Sequence, residues 1–139
     1  MNKEQAQEMV EVLQNDYMET INKVIKKELG VNVKMRAVVS YGRCDNYVIL
    51  ENDDNSDVEK KMMSNKLLKH IFTSASLSAY AFNEDNVFSF RVSVYYTHPD
   101  RGSNGYTVLV FRIDKERKDV ITTRKYRNNK IVKKSYKIE

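Results

Sequence analysis

The second half of the chain constrains the fold most, because apolar and polar residues alternate there in successive segments joined by short connections. Alternation with a period of two is typical of a strand with one buried face. Connections of hairpin length leave no room for a crossover helix, so neighbouring strands have to run antiparallel. Five strands are predicted in this half, at about 77–82, 87–97, 106–114, 120–127 and 131–138.

The first segment of the chain has a different period. Apolar residues recur at three- and four-residue steps over residues 3–29, the spacing of one helix face. Asn2 and Gln5 form a predicted capping box, and Gly30 is a natural end for the helix. The period then returns to two, which predicts strands at 31–41 and 46–51.

A second helix is predicted at about 57–75, opened by a capping box of Ser56 and Glu59. The complete order is α-β-β-α-β-β-β-β-β. It predicts an α+β fold with a curved antiparallel sheet of about six or seven strands and two helices packed on one face. At 139 residues the chain is expected to form a single domain, 1–139, that includes a basic hairpin at about 119–138.

The composition indicates a protein of a reducing compartment. A single cysteine, Cys44, cannot form an internal disulfide and excludes CxxC zinc spacing. No apolar run approaches the roughly 18 residues that a membrane span needs, and the N-terminal residues lack the features of a secretory signal. We therefore expect a cytoplasmic protein with no membrane partner, no metal and no cofactor.

Charge is distributed unevenly along the chain. Residues 115–139 hold ten basic and three acidic side chains, a net charge of +7, so the preceding 114 residues carry −2 of the total of +5. Within those, residues 45–59 hold six acidic side chains and no basic one. The sequence thus predicts a basic end and an acidic corner.

The basic hairpin is the strongest candidate site. A two-residue turn at Asn128-Asn129 would place Arg124 opposite Lys133, and like charges in that position indicate a compensating anion. Cations with interleaved tyrosines suit phosphates and bases. Lysines on an exposed edge also prevent aggregation, which is the alternative interpretation. The predicted binding residues here are Arg117, Lys118, Arg124, Lys125, Tyr126, Arg127, Lys130, Lys133 and Lys134.

A second constellation lies on the predicted outward face of the sheet. Such a face can hold single-stranded nucleic acid or a nucleotide if the strands concerned are neighbours, and it can equally be a solvated surface. Its members are Arg36, Arg91, Tyr95, Tyr106 and Arg112.

The stretch 97–107 contains His98 and Arg101 in a predicted eight-residue loop, 98–105. This length exceeds that of an ordinary hairpin turn and leaves room for contact with a partner. An enzyme would need a nucleophile held by a base, from His98 with Ser103 or from Cys44, and the sequence supplies no further element for such a set. His70 is predicted to pack near the apolar stripe of the second helix.

The acidic segment has some of the carboxylates of a calcium-binding loop but not their pattern. The spacing of these carboxylates and the lack of a glycine at the sixth position do not match such a loop. Two interpretations are open: a solvated loop that caps a helix, and an acidic docking patch for a basic partner. The patch would consist of Glu51, Asp53, Asp54 and Asp57.

These features favour a small non-enzymatic binding protein that engages nucleic acid, or a nucleic-acid–protein complex, through its basic hairpin. The alternative is a protein-binding inhibitor or adaptor that uses its acidic 45–59 region and loop 97–107. Abundant Lys, Asn and Ile, a single Pro and no Trp indicate AT-rich coding. That bias is compatible with a phage-encoded inhibitor of a bacterial defence system, of the anti-CRISPR kind.

Overall fold

The computed structural model describes residues 2–41, 46–64, 71–84, 87–114, 116–117, 119–127 and 130–138, and the side chains of 46, 82–84, 126, 127 and 130 are left out. Its helices are α1 (Lys3–Val12), α2 (Met18–Leu29) and α3 (Ser56–Met62). A π-helical segment, Leu13–Tyr17, joins the first two. The strands are β1 (Met35–Tyr41), β2 (Asn46–Asn52), β3 (Ser74–Glu84), β4 (Val87–His98), β5 (Gly102–Asp114), β6 (Val120–Arg127) and β7 (Lys130–Lys137).

All seven strands form one antiparallel sheet in which spatial order equals sequence order, from β1 at one edge to β7 at the other. The predicted α+β class with an antiparallel sheet of six or seven strands is therefore confirmed. The count of two helices is not, since a π-helical segment divides the helix predicted over 3–29. No helix in the part of the chain described above is long and apolar enough to cross a membrane.

The N-terminal helical region begins and ends as its sequence predicts. Asn2 and Gln5 form both hydrogen bonds of the capping box, and Gly30 ends α2 with a left-handed φ of 68°. In an L-residue with a Cβ this conformation costs free energy, which is why glycine suits the position.

Polar side chains of the helical region cover the outer edge of β1. The backbone N–H of Ala37 donates to Gln14 Oε1 at 3.0 Å, and the N–H of Met35 donates to Asn22 Oδ1 at 2.7 Å. Asn22 Nδ2 donates in turn to the Met35 carbonyl. An unpaired strand edge is a template for further pairing, so these bonds close one of the two edges of the sheet.

One set of alternating strand residues faces the core, and we call that side of the sheet the core face. Its strand side chains are buried together with residues of all three helices in one cluster. The residues between them lie on the opposite side, which we call the outer face. The largest fully buried side chains are Phe90, Phe111, Leu13, Ile21, Ile25, Leu50, Leu77, Leu109, Ile113 and Ile121.

The helix predicted over 57–75 is wrong at its C-terminal end, where a strand begins instead. α3 ends at Met62, residues 65–70 (including His70) lie outside the described part, and β3 already begins at Ser74. Ala75, which the apolar spacing assigns to the helix, pairs with Tyr96 of β4. The long strand β4 offers backbone partners there, and this tertiary pairing overrides the local helical spacing.

The capping box predicted for Ser56 and Glu59 is also wrong. The N-cap of α3 is Asn55, and its side chain makes no capping hydrogen bond to the helix. Asp54 bonds instead to both the N–H and the hydroxyl of Ser56, at 3.1 and 2.7 Å. Asn55 Oδ1 accepts from the side-chain amide of Asn52 and from the N–H of Leu77. A turn formed by Asp54 thus competes successfully with the cap.

The predicted eight-residue loop 98–105 is wrong as well. β4 and β5 remain paired as far as His98 and Gly102, so only three residues connect the strands. Gly102, which follows these three residues, has a left-handed φ of 77°, a conformation that glycine adopts without the steric cost of a Cβ. Residues 103–105 have turn-forming composition but pair with β4. Glycine is needed at position 105 because a Cβ there would lie only 2.5 Å from the Tyr95 ring.

Candidate functional site

The C-terminal hairpin has the register predicted from its sequence. Arg124 is paired with Lys133, Lys125 with Val132, and the turn residues 128 and 129 lie outside the described part. β7 is an edge strand of the sheet. The two faces of the hairpin nevertheless have different surroundings.

The core face of the hairpin is bound to the end of α2. Glu28 is buried, with a side chain that is 4% exposed, and its carboxylate accepts from the hydroxyl of Tyr136. Lys134 Nζ lies 3.4 Å from the same carboxylate, and Lys125 Nζ donates to the Glu28 backbone carbonyl. Lys27 Nζ lies 5.3 Å from the centre of the Tyr136 ring. Cations at a helix C-terminus are stabilised by its partial negative charge, so Lys125 and Lys134 have a role within the fold.

The outer face of the hairpin carries the remaining described cations. Arg124 and Lys133 are exposed and directly opposite each other. They line a shallow depression of about 410 Å³ together with Arg112 of β5 and the hydroxyl-bearing Thr122 and Ser135. Within the described part of the chain, none of these three cations forms an ion pair with a carboxylate.

A line of residues in register continues from this depression across the sheet. We call it the outer row: Tyr80, Arg91, Val110, Arg124 and Lys133, one from each strand from β3 to β7. Arg91 is exposed and takes part in a further interaction within the protein. Val110 is buried and forms a low apolar floor between the cations. The structure thus joins the two constellations, because Arg91 and Arg112 lie beside Arg124 and Lys133 on one face.

A second depression, of about 280 Å³, adjoins the first. Arg112 and Thr122 line both, and Arg117 and Asp114 line the second. The Arg117 N–H donates to the Asp114 carbonyl at 3.0 Å, which places this arginine in the turn between β5 and β6. Arg117 therefore extends the basic surface toward one end of the sheet.

The structure does not describe the side chains of four other predicted binding residues in the hairpin region. Lys118 lies outside the described residues, and the side chains of Tyr126, Arg127 and Lys130 are not described, although Arg127 and Lys130 pair through their backbones. Their part in binding stays a prediction.

The residues of stretch 97–107 lie apart from the basic depression. His98 and Arg101 are seven and ten positions from Arg91 in sequence, and His98 is displaced from Arg91 by about 23 Å along the strand.

The His98 side chain makes contacts within its own hairpin and with the residue before β3. Its Nδ1 accepts from the N–H of Asp100 at 3.0 Å, and its ring packs edge-on against Phe72 at 6.3 Å. Within the described residues no nucleophile is bonded to this imidazole: Ser103 Oγ lies 3.3 Å from Thr97 Oγ1 instead. Cys44 lies outside the described part.

A β-bulge changes the position of one predicted outer-face residue. The register of β4 and β5 shifts between Val92 and Ser93, so Tyr106 pairs with Val94 and lies on the side of Tyr96. The two tyrosine rings are stacked at 6.0 Å and their hydroxyls are 3.2 Å apart. Burial, followed by the hydrogen bond to Tyr106, raises the pKa of Tyr96 to about 12. Tyr95 keeps its predicted place on the outer face, against Gly105.

The four carboxylates of the predicted acidic docking patch make contacts within the fold. Arg36 bridges Glu51 at 3.3 Å and Asp53 at 3.1 Å. Asp57 Oδ2 accepts from the N–H of Asn32 at 2.6 Å. Hydrogen bonds from the hydroxyl and N–H of Ser56 lower the pKa of the Asp54 carboxyl. Their use as a docking patch stays a prediction.

Sequence reasoning missed two features of this region. Glu28 follows Ile21, Val24 and Ile25 at helical spacing, so it lies on the apolar stripe of the helix. A buried acid needs a cation, and the basic C-terminal strand could have been predicted to supply it. Tyr80 alternates with serines in β3 and could have been assigned to the outer face if the strand had been predicted to start at Ser74.

The outer face presents groups that can hold an anion. Its described side chains at the depression are guanidinium, ammonium and hydroxyl groups, which donate hydrogen bonds to phosphate oxygens. Among the residues with described positions, no three His, Cys, Asp or Glu side chains are grouped as metal ligands. No protein-family model matches the chain, and neither a curated protein nor a solved structure shows significant similarity to it.

Proposed function

We propose that this chain is a small, non-enzymatic, cytoplasmic binding protein that engages nucleic acid, or a nucleic-acid–protein complex, through the outer face of its sheet. In this proposal the helices lie on the core side of a curved sheet and leave the outer face free for the ligand. The basic hairpin contributes through its outer residues Arg124 and Lys133, and β5 contributes Arg112.

One observation carries the proposal: Arg124 and Lys133 face each other across β6 and β7 with Arg112 on the next strand. Like charges directly opposite each other destabilise a sheet by roughly 0.2–1 kcal/mol, and a bound anion removes that cost. Protection of an edge strand requires charges on β7 alone and does not require arginines on β5 and β6. A polyanion is the ligand that uses all three.

Hydroxyl groups favour a phosphate ligand. Thr122 and Ser135 line the same depression as the cations and can donate to phosphate oxygens. Arginine adds a planar pair of donors that matches two phosphate oxygens at once. Binding would then be driven by neutralisation of phosphates and release of their counterions.

Charge reversal tests the proposal. The double variant Arg124→Glu with Lys133→Glu should weaken binding to labelled DNA or RNA by about tenfold or more at low salt, because two phosphate contacts become repulsive. Fluorescence anisotropy measures the affinity. The matched control, Lys3→Glu with Lys60→Glu, changes the net charge equally at exposed helical positions and should leave most of the affinity intact. Equal losses in both variants would refute a localised site.

The protein-binding inhibitor is the second candidate, with the acidic residues and stretch 97–107 as its interface. Because Glu51, Asp53, Asp54 and Asp57 are engaged within the fold, the geometry favours it less. A stoichiometric host protein that is retained on the immobilised chain after nuclease treatment, and lost on charge reversal at Glu51 and Asp53, would favour it over nucleic-acid binding.

A further inference from the structure

We propose that the ligand of the outer face is a single strand of nucleic acid that lies along the outer row, with one base stacked on Tyr80 and its phosphates at Arg124 and Lys133. This inference rests on the proposed function and specifies its ligand. It also assigns a role to Tyr80 and Tyr47, which belong to neither constellation predicted from the sequence.

Tyr80 presents an aromatic surface to solvent at the start of the row. It is 42% exposed, and the preceding outer-face residues of β3, Ser76 and Ser78, are small. The Tyr47 ring lies 6.0 Å from that of Tyr80 at an interplanar angle of 38°. This contact restricts the ring of Tyr80 before any ligand binds, which reduces the entropic cost of stacking a base on it.

The distance between the aromatic and cationic ends fits a short stretch of a single strand. Tyr80 on β3 and Lys133 on β7 are separated by four strand spacings, or about 19 Å. Single-strand sites of known folds begin at about four nucleotides. Val110 forms a low floor between Arg91 and Arg124, so the chain of a ligand is not obstructed there.

Stacking on Tyr80 distinguishes a single strand from a duplex. In a duplex the bases are stacked on each other and their faces are not accessible to a side chain. An unpaired strand exposes base faces to aromatic rings while its phosphates contact cations, and this combination is largely independent of sequence. The outer row offers both kinds of contact on one surface.

The absence of tryptophan from the chain makes a direct test available. Tyr80→Trp introduces a single tryptophan, and its fluorescence should be quenched when an oligothymidylate of about 12 nucleotides binds. Tyr41→Trp is the matched control, because Tyr41 is 65% exposed and lies at the end of β1, on the core-face side. Its fluorescence should not change. A duplex of the same length should leave both signals unaltered.

Affinity measurements complete the test. Tyr80→Ala should weaken binding of the single strand by about fivefold or more, whereas Tyr80→Phe retains the ring and should bind within about twofold of the unaltered protein. Tyr41→Ala should bind normally. Circular dichroism of each variant establishes that the sheet is intact.

The outcomes separate this inference from the function on which it rests. In one outcome the double variant Arg124→Glu with Lys133→Glu loses binding, Tyr80→Ala keeps it, and the oligothymidylate does not change the fluorescence of Tyr80→Trp. That outcome overturns the single-strand arrangement and leaves nucleic-acid binding in place. Equal affinity for duplex and single strand overturns it likewise. If neither DNA nor RNA binds at all, both proposals are overturned.

Discussion

Individual side chains in this protein have environments that their local sequence does not reveal. Tyr96 is the clearest case. It is buried at the core face, is stacked against Tyr106, and shares a hydrogen bond with it, although the alternation in sequence places Tyr106 on the opposite face. The bulge after Val92 produces this contact. A bulge adds one residue to one strand of a pair, and alternation patterns in either strand do not indicate where it occurs.

The pKa of Tyr96 gives a prediction for alkaline stability. The folded value of about 12 exceeds the value of about 10 for an unfolded tyrosine, so the folded state holds the proton more tightly. The contribution of protonated Tyr96 to the unfolding free energy is therefore complete below pH 10 and is lost as the pH rises from 10 to 12. Urea unfolding across this range should show a smaller loss of unfolding free energy for Tyr96→Phe than for the unaltered protein.

Tyr41→Phe is the matched control for this measurement, since it removes an exposed hydroxyl at the end of β1. Its pH dependence should follow that of the unaltered protein. An identical alkaline loss of stability in Tyr96→Phe would contradict the assigned environment of Tyr96.

At the scale of elements, the contact between α2 and the C-terminal hairpin determines which of the described hairpin cations contact the helix. Glu28 binds Lys134 and Tyr136, and its carbonyl binds Lys125, so one face of the hairpin is held against the helix. The other face, with Arg124 and Lys133, is left to solvent. The lysines of the hairpin are thus divided between a face that contacts the helix and a face that does not.

Removal of the Glu28 charge should therefore loosen the hairpin. Glu28→Gln keeps the shape of the side chain but loses two charge-assisted contacts, and we expect a loss of about 1–3 kcal/mol in unfolding free energy. Urea denaturation measures it. Glu19→Gln is the control: it removes the exposed bridge to Lys23 at 3.3 Å, which should be worth no more than about 0.5 kcal/mol. Equal effects of the two substitutions would contradict a structural role for Glu28.

The elements show what sequence could and could not predict. The bounds of β6 and the register of its hairpin with β7 agree with the prediction, because the position of a two-residue connection sets the pairing of the strands on either side. The predicted loop at 98–105 and the predicted helix through residue 75 do not agree. In both places local composition indicates one structure, and backbone pairing with the long strand β4 imposes another.

The candidate site was predictable in part. The opposition of Arg124 and Lys133 follows from the turn position, and the outward direction of Arg91 and Arg112 follows from alternation. That these four residues share one surface depends on strand order, which alternation does not contain. The burial of Glu28 depends on where α2 ends relative to β7, and this too is a property of the tertiary structure.

Over the whole molecule, the two edges and the two faces of the sheet have different surroundings. The β1 edge is closed by Gln14 and Asn22, and the β7 edge carries lysines. The core face holds the apolar cluster, and the outer face holds Arg112, Arg124 and Lys133, which have no acidic partner within the described chain. A net charge of +7 over residues 115–139 thus becomes part of a folded surface rather than a tail.

The salt dependence of binding tests the central claim most directly. For a single strand the logarithm of the affinity should fall linearly with the logarithm of salt concentration, with a slope of about −0.7 for each phosphate contacted. The variant Arg124→Gln with Lys133→Gln should show a slope that is shallower by about 1.4, because two contacts are lost. Binding that does not depend on salt, or an unchanged slope in the variant, would contradict a phosphate-binding role for the outer face.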